Sequence, residues 1–123
     1  MDKLEEMFRL QANFMSLLSE KNESFPKSWP LDLSQKKNQL ECRDLVFNTM
    51  QELFEAILEL KNSKKHRQTE LPEFNREKFV EECVDAQKFF LELLIFIGVT
   101  PDEFYKMYLK KDAVNIARLQ QGY

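Results

Sequence analysis

Apolar residues recur every third or fourth position along most of this chain, the spacing that lines one face of an α-helix. Leu4, Met7, Phe8, Leu10, Phe14, Leu17 and Leu18 predict a first helix over residues 3–20. A connector over 22–32 follows, where Pro26 and Pro30 surround Trp29 and push the residues before them away from helical angles. Ser34 then stands where an N-cap hydroxyl can accept a first-turn amide. The period from Leu40 through Leu45, Met50, Phe54 and Ile57 to Leu60 predicts a long second helix ending near residue 61. The polar stretch 62–75, broken by Pro72, reads as a loop between antiparallel helices.

Asn75 is placed to cap a third helix over 76–97, whose second half is apolar nearly all round. A helix with no polar side is buried on every side, so Phe89, Phe90, Leu94 and Phe96 predict a subunit interface as well as a core. Thr100, Pro101 and Glu103 form the clearest helix start, with a capping hydroxyl, a proline at the first helical position and an acid three residues on. A short helix to about residue 110 and another over 112–120 follow. No run alternates with period two. The prediction is an all-α fold, one domain over 1–123, in which four to five helices form an antiparallel bundle that associates into a dimer or tetramer.

Composition narrows the function. The chain has 123 residues, 18 Lys and Arg against 21 Asp and Glu, a net charge of -3 and only two glycines. Gly98 and Gly122 stand too far apart for a P-loop or a dinucleotide fingerprint, which need several glycines in one turn. The acidic balance argues against a module that binds nucleic acid polymer through a basic face. His66, Cys42 and Cys83 cannot furnish a four-ligand zinc site or a secure Ser-His-Asp set. Two cysteines with 40 residues between them read as thiols of a reducing compartment. The acid-bearing start MDKLEEMFRL lacks the pattern of a signal peptide, and the apolar run 89–99 is too short for a bilayer. A soluble, cytoplasmic protein without a membrane partner is expected, whose chemistry falls to carboxylates.

Those carboxylates form a pattern. Glu52 and Glu55 are three apart among Leu53, Phe54, Ile57 and Leu58, so both project from one side of the second helix. Glu82 and Asp85 repeat the spacing in the third helix, after 26 intervening residues. Packed antiparallel, the two helices gather four carboxylates around one small volume, where mutual repulsion raises their pKa values. A hard divalent cation resolves that conflict, and Mg2+ bridges carboxylates to substrate phosphates. Acids at such spacing also arise by chance on solvated helix faces, and Glu41, Glu59, Glu81 and Glu92 are further acids nearby.

The C-terminal string Lys111, Asn115, Arg118, Gly122 and Tyr123 adds independent weight. Its four-then-three spacing puts an ammonium, an amide and a guanidinium on one helix side, suited to a polyphosphate, though basic residues also favour an ordinary helix end. Lys64, Lys65 and Arg67 offer further cations in the loop, beside His66.

The paired motif ExxE then ExxD resembles that of the MazG-like all-α nucleoside triphosphate pyrophosphohydrolase superfamily. The string KxxxNxxRxxxGY resembles the C-terminal motif of its dimeric dUTPase branch. The chain departs from that pattern at Gln51, Asp112 and Leu119, and at Met15, where an asparagine is expected. The resemblance implies Mg2+-dependent hydrolysis of a nucleoside triphosphate, dUTP first, to the monophosphate and pyrophosphate, by a homodimer or homotetramer. It makes Glu52, Glu55, Glu82 and Asp85 metal ligands, with Glu55 or Glu52 handling the attacking water. Lys111, Asn115, Arg118 and Tyr123 become substrate contacts, and Gln11 a base-pocket residue. Trp29 is an aromatic that can stack on a base or plug the edge of the core. A dCTP, purine or damaged-nucleotide hydrolase, a regulatory nucleotide binder and a helical interaction protein are the alternatives.

Overall fold

The computed structural model describes residues 1–61, 64–66, 68 and 70–122. Four helices run in chain order as α1 (Lys3–Lys21), α2 (Lys36–Ile57), α3 (Arg76–Phe96) and α4 (Pro101–Gln120), with no strand among the described residues. The fold is all-α. The chain divides into two compact units, Met1–Pro30 with Leu94–Tyr123, and Leu31–Leu93. The first holds α1, the end of α3 and α4; the second holds α2 and most of α3. No described helix is long and apolar enough to cross a membrane.

Local chemistry explains where the helices begin and end. Asp2 Oδ1 accepts the Glu5 N–H at 2.8 Å while the Glu5 carboxylate accepts the Asp2 N–H at 3.3 Å, a reciprocal cap that starts α1. Ser34 does not cap α2. Its N–H and hydroxyl both donate to Asp32 Oδ1, at 3.0 and 2.7 Å, and Gln35 takes the cap position without a side-chain bond. An acceptor two residues upstream outcompetes the helix for a serine hydroxyl. At the other end, Leu58, Glu59 and Leu60 bond three residues back, at 3.1, 3.0 and 2.9 Å. The apolar period therefore runs on to Leu60 in a tighter turn after α2 proper has stopped.

Asn75 Oδ1 accepts the Lys78 N–H at 3.0 Å and caps α3 as predicted. The helix ends at Gly98, whose φ of 82° lets its N–H reach the Ile95 carbonyl at 3.0 Å and the Val99 N–H reach that of Leu94 at 2.9 Å. Thr100 Oγ1 accepts the Glu103 N–H at 3.1 Å with Pro101 at the helix start. The break expected between residues 110 and 112 is absent. With neither proline nor glycine between Asp102 and Gln120, nothing there outweighs continuing the hydrogen-bond ladder, and α4 is one helix of 20 residues.

In the first unit Phe8, Met15, Leu94 and Phe96 are buried, and Phe96 receives Phe25 at 5.7 Å and Trp29 edge-on at 6.0 Å. In the second, Leu45, Ala56, Ala86 and Leu91 are buried. Helices α2 and α3 run antiparallel, as three electrostatically coupled pairs show: Glu41 with Glu92, Glu52 with Asp85, Glu59 with Lys78. The apolar second half of α3 is consumed inside the chain, with Phe89 and Phe90 half-buried and Leu94 and Phe96 buried. Exposed apolar side chains lie along α1, α2 and α4 and, in the first half of α3, at Val80 and Val84.

Candidate metal centre

Helix α2 places its acids by periodicity. At about 100° per residue, Glu41, Glu52, Glu55 and Glu59 fall within a sector of about 60°. All four are half-buried, on the side that meets α3. On α3, Glu82 and Asp85 are one turn apart. Carboxylate oxygens of Glu52, Glu82 and Asp85 lie within 4.8 Å of one another. Glu55 adjoins this trio, within hydrogen-bonding reach of both Glu52 and Glu82. Three of the four expected ligands thus share one small volume and the fourth borders it.

The electrostatics of the cluster are unbalanced. Burial pushes the Glu52 carboxyl up to about 7, reinforced by hydrogen bonding and repulsion from Glu55, by the charge of Asp85 and by Glu82. Glu82 is held below the usual range by its hydrogen bond to Lys78, against the opposing effect of burial. Lys78 Nζ lies 2.9 Å from Glu82 Oε1, an i,i+4 pair legible in the sequence once Glu82 is singled out. Yet Glu82 is only 7% exposed, and its second oxygen, Oε2, is buried without a hydrogen-bond partner. A buried carboxylate oxygen left open beside two other carboxylates is a position a cation satisfies. The donors are all hard oxygens, which fits Mg2+ and disfavours softer, nitrogen- or sulfur-seeking metals.

Toward the other end of the α2–α3 seam, Glu92 is 6% exposed and also pushed up to about 7, by burial first and then by Glu41, with Lys88 acting in the opposite sense. Glu92 lies seven residues beyond Asp85, two turns along α3, and is a separate feature.

The remaining expected site residues belong to the other unit. Gln11 is 2% exposed, and its Oε1 is buried without a partner. Trp29 is half-buried, its ring engaged with Phe96. Lys111, Asn115 and Arg118 are exposed on one continuous α4. Tyr123 and Arg67 lie outside the described residues. Lys64 and Lys65 are exposed and line a cavity in the second unit with Leu60, Leu71, Pro72 and Phe74. Cys42 and Cys83 are free, half-buried thiols. Comparison with protein-family models, with curated proteins and with solved structures finds no match to this chain.

Proposed function

We propose that this chain is a Mg2+-dependent nucleoside triphosphate pyrophosphohydrolase, acting on a deoxynucleoside triphosphate, dUTP foremost, and working as a homo-oligomer. One observation carries the reading: carboxylate oxygens of Glu52, Glu82 and Asp85 lie within 4.8 Å of one another, and Glu82 Oε2 is buried without a hydrogen-bond partner. Glu52, Glu82 and Asp85 hold the ion, with Glu55 at its border. A bound divalent cation supplies Lewis acidity toward phosphate oxygens and makes water more acidic. Glu52 or Glu55 would orient that water or take its proton.

The exposed side of α4 provides complementary charge. Lys111 and Arg118 offset the negative charge of a triphosphate, with Asn115 donating between them, and such electrostatic stabilisation dominates phosphoryl transfer. Gln11, which the resemblance makes a base-pocket residue, has a buried amide oxygen without a partner within the first unit.

The test is a panel of nucleotides, dUTP, dCTP, purine and oxidised triphosphates, assayed for pyrophosphate release with and without Mg2+. Release from one member only when Mg2+ is present supports the reading. Calorimetric binding without product identifies a regulatory nucleotide binder, and neither binding nor hydrolysis identifies a helical interaction protein.

A further inference from the structure

The segment that follows α2 gathers positive charge in a chain whose net charge is -3. Residues 61–69 hold Lys61, Lys64, Lys65 and Arg67 and no acid. Lys61, Lys64 and Lys65 line a cavity of about 400 Å³ in the second unit, walled on its apolar side by Leu71, Pro72 and Phe74. The acid that lines it is Glu59, whose carboxylate stands 4.0 Å from Lys61 Nζ. Neither Lys64 nor Lys65 pairs with an acid among the described residues. Two unbalanced ammonium groups beside apolar walls, where charges are poorly screened, make a place that an anion satisfies.

The cavity is tied to the carboxylate cluster inside the same unit. Glu59 lies four residues beyond Glu55, about one turn further along the chain. Lys78 bonds Glu82 Oε1 at 2.9 Å and also feels the charge of Glu59, so one ammonium stands between the cluster and the acid that lines the cavity. The lining narrows the ligand. A lysine offers three donors and no acceptor, which suits phosphate oxygens and does not read the edge of a base. The volume is that of a small-molecule site, not of a surface for a polymer.

We propose that this cavity binds the far phosphates of the nucleoside triphosphate, with Lys64 and Lys65 holding the end that departs as pyrophosphate. The inference rests on the hydrolase reading and gives it a direction. The substrate lies with its polyphosphate toward the C-terminal end of α2 and its nucleoside away from it. Charge sets that direction: the other end of the α2–α3 seam holds Glu41 and Glu92 with the single ammonium of Lys88, a poor surrounding for a polyanion. These lysines also supply counter-charge from the unit that carries the cluster itself.

Calorimetry of the full chain with inorganic pyrophosphate, without Mg2+ or nucleotide, tests the cavity apart from the activity. The wild type is expected to bind, and Lys64→Ala with Lys65→Ala to weaken binding roughly tenfold or more, with helix content by circular dichroism unchanged. Lys36→Ala with Lys37→Ala removes the same charge from the exposed start of α2 and is expected to leave affinity within about twofold. In the hydrolysis assay the first pair is expected to raise KM for the triphosphate while Mg2+ affinity holds. No pyrophosphate binding by the wild type overturns the proposal, and so do equal losses in the two pairs. A Lys64, Lys65 variant that loses thermal stability and keeps its pyrophosphate affinity also overturns it, marking the lysines as partners of a helix C-terminus. The two readings fail separately. Pyrophosphate held at Lys64 and Lys65 by a chain that hydrolyses no nucleotide sinks the activity and leaves the cavity standing, whereas hydrolysis with an unchanged KM in that variant sinks the cavity alone.

Discussion

Lys78 donates to Glu82 Oε1 at 2.9 Å while Oε2 of the same carboxylate is buried without a partner. One oxygen is paired from within α3, and the carboxylate has Glu52 and Glu55 within hydrogen-bonding reach. Glu82→Gln keeps the shape and removes the charge. Mg2+ affinity by calorimetry is expected to fall at least tenfold, while the melting temperature of the metal-free protein stays level or rises, because Glu52 and Asp85 lose a like-charged neighbour. In the wild type, Mg2+ at 100 times its Kd is expected to add about 2.7 kcal/mol of stability, read as a shift in Tm that the variant lacks. A lowered Tm with unchanged Mg2+ binding would show that Glu82 serves the packing of α3 and not an ion.

The pH dependence of stability separates the two raised carboxyls. Glu52 and Glu92 both stand at about 7 against an ordinary value of 4.5. A folded-state pKa above the unfolded one means the native state holds protons longer, so stability is full below pH 4.5, falls as pH rises toward 7, and levels off above. Urea denaturation of the metal-free protein between pH 4 and 8 is expected to trace that fall. Saturating Mg2+ removes the part due to Glu52, since the ion favours its ionised form. Glu92→Gln removes the other part and raises Tm at pH 8 by an amount on the order of a few °C. A flat profile in the metal-free wild type would remove both assignments.

Gly98 closes α3 with a left-handed φ of 82°, and a Cβ built there would sit 3.2 Å from Pro30 Cβ. Gly98→Ala meets both the backbone penalty and a side chain that must give way. The expected loss is about 1–2 kcal/mol, seen as a lower urea midpoint with an unchanged slope. A stability gain would mean the α3 end relaxes to a right-handed turn.

Most of the helical layout is legible in the sequence because caps and periods are local. Asn75, Thr100 and Pro101 start their helices where their side chains say they should, and the four acids that line the seam follow from three-residue spacing on helices that pair antiparallel. What is not legible is competition. Ser34 has two acceptors to choose from and takes Asp32; the charged residues 110–112 look like a boundary but contain no breaker. Nor does periodicity say which apolar face of a two-sided helix turns inward. The second half of α3 is apolar nearly all round and is half-buried or buried within the chain, whereas α2 is half apolar and shows that half to solvent, because its acidic sector is the one facing α3. Exposure there is set by where the charges converge.

The tail string provides the sharpest test of the nucleotide reading, because its residues sit on α4 and the carboxylate cluster on α2 and α3. Lys111 and Arg118 are both exposed, seven residues apart on one helix side. A charged contact to phosphate is worth about 1.5–3 kcal/mol, so removing either is expected to cut kcat/KM roughly 10- to 150-fold. The loss in Lys111→Ala should appear in KM if that ammonium only binds the triphosphate, and in kcat if it meets charge that develops on the leaving pyrophosphate. Arg118→Lys keeps the charge but loses the forked donor geometry, and partial recovery at most is expected. In both variants Mg2+ binding without nucleotide should match the wild type, since no ligand of the cluster is altered. If kcat/KM stays at the wild-type level in Lys111→Ala and Arg118→Ala alike, the α4 residues are an ordinary basic helix end, and the triphosphate must find its counter-charge elsewhere.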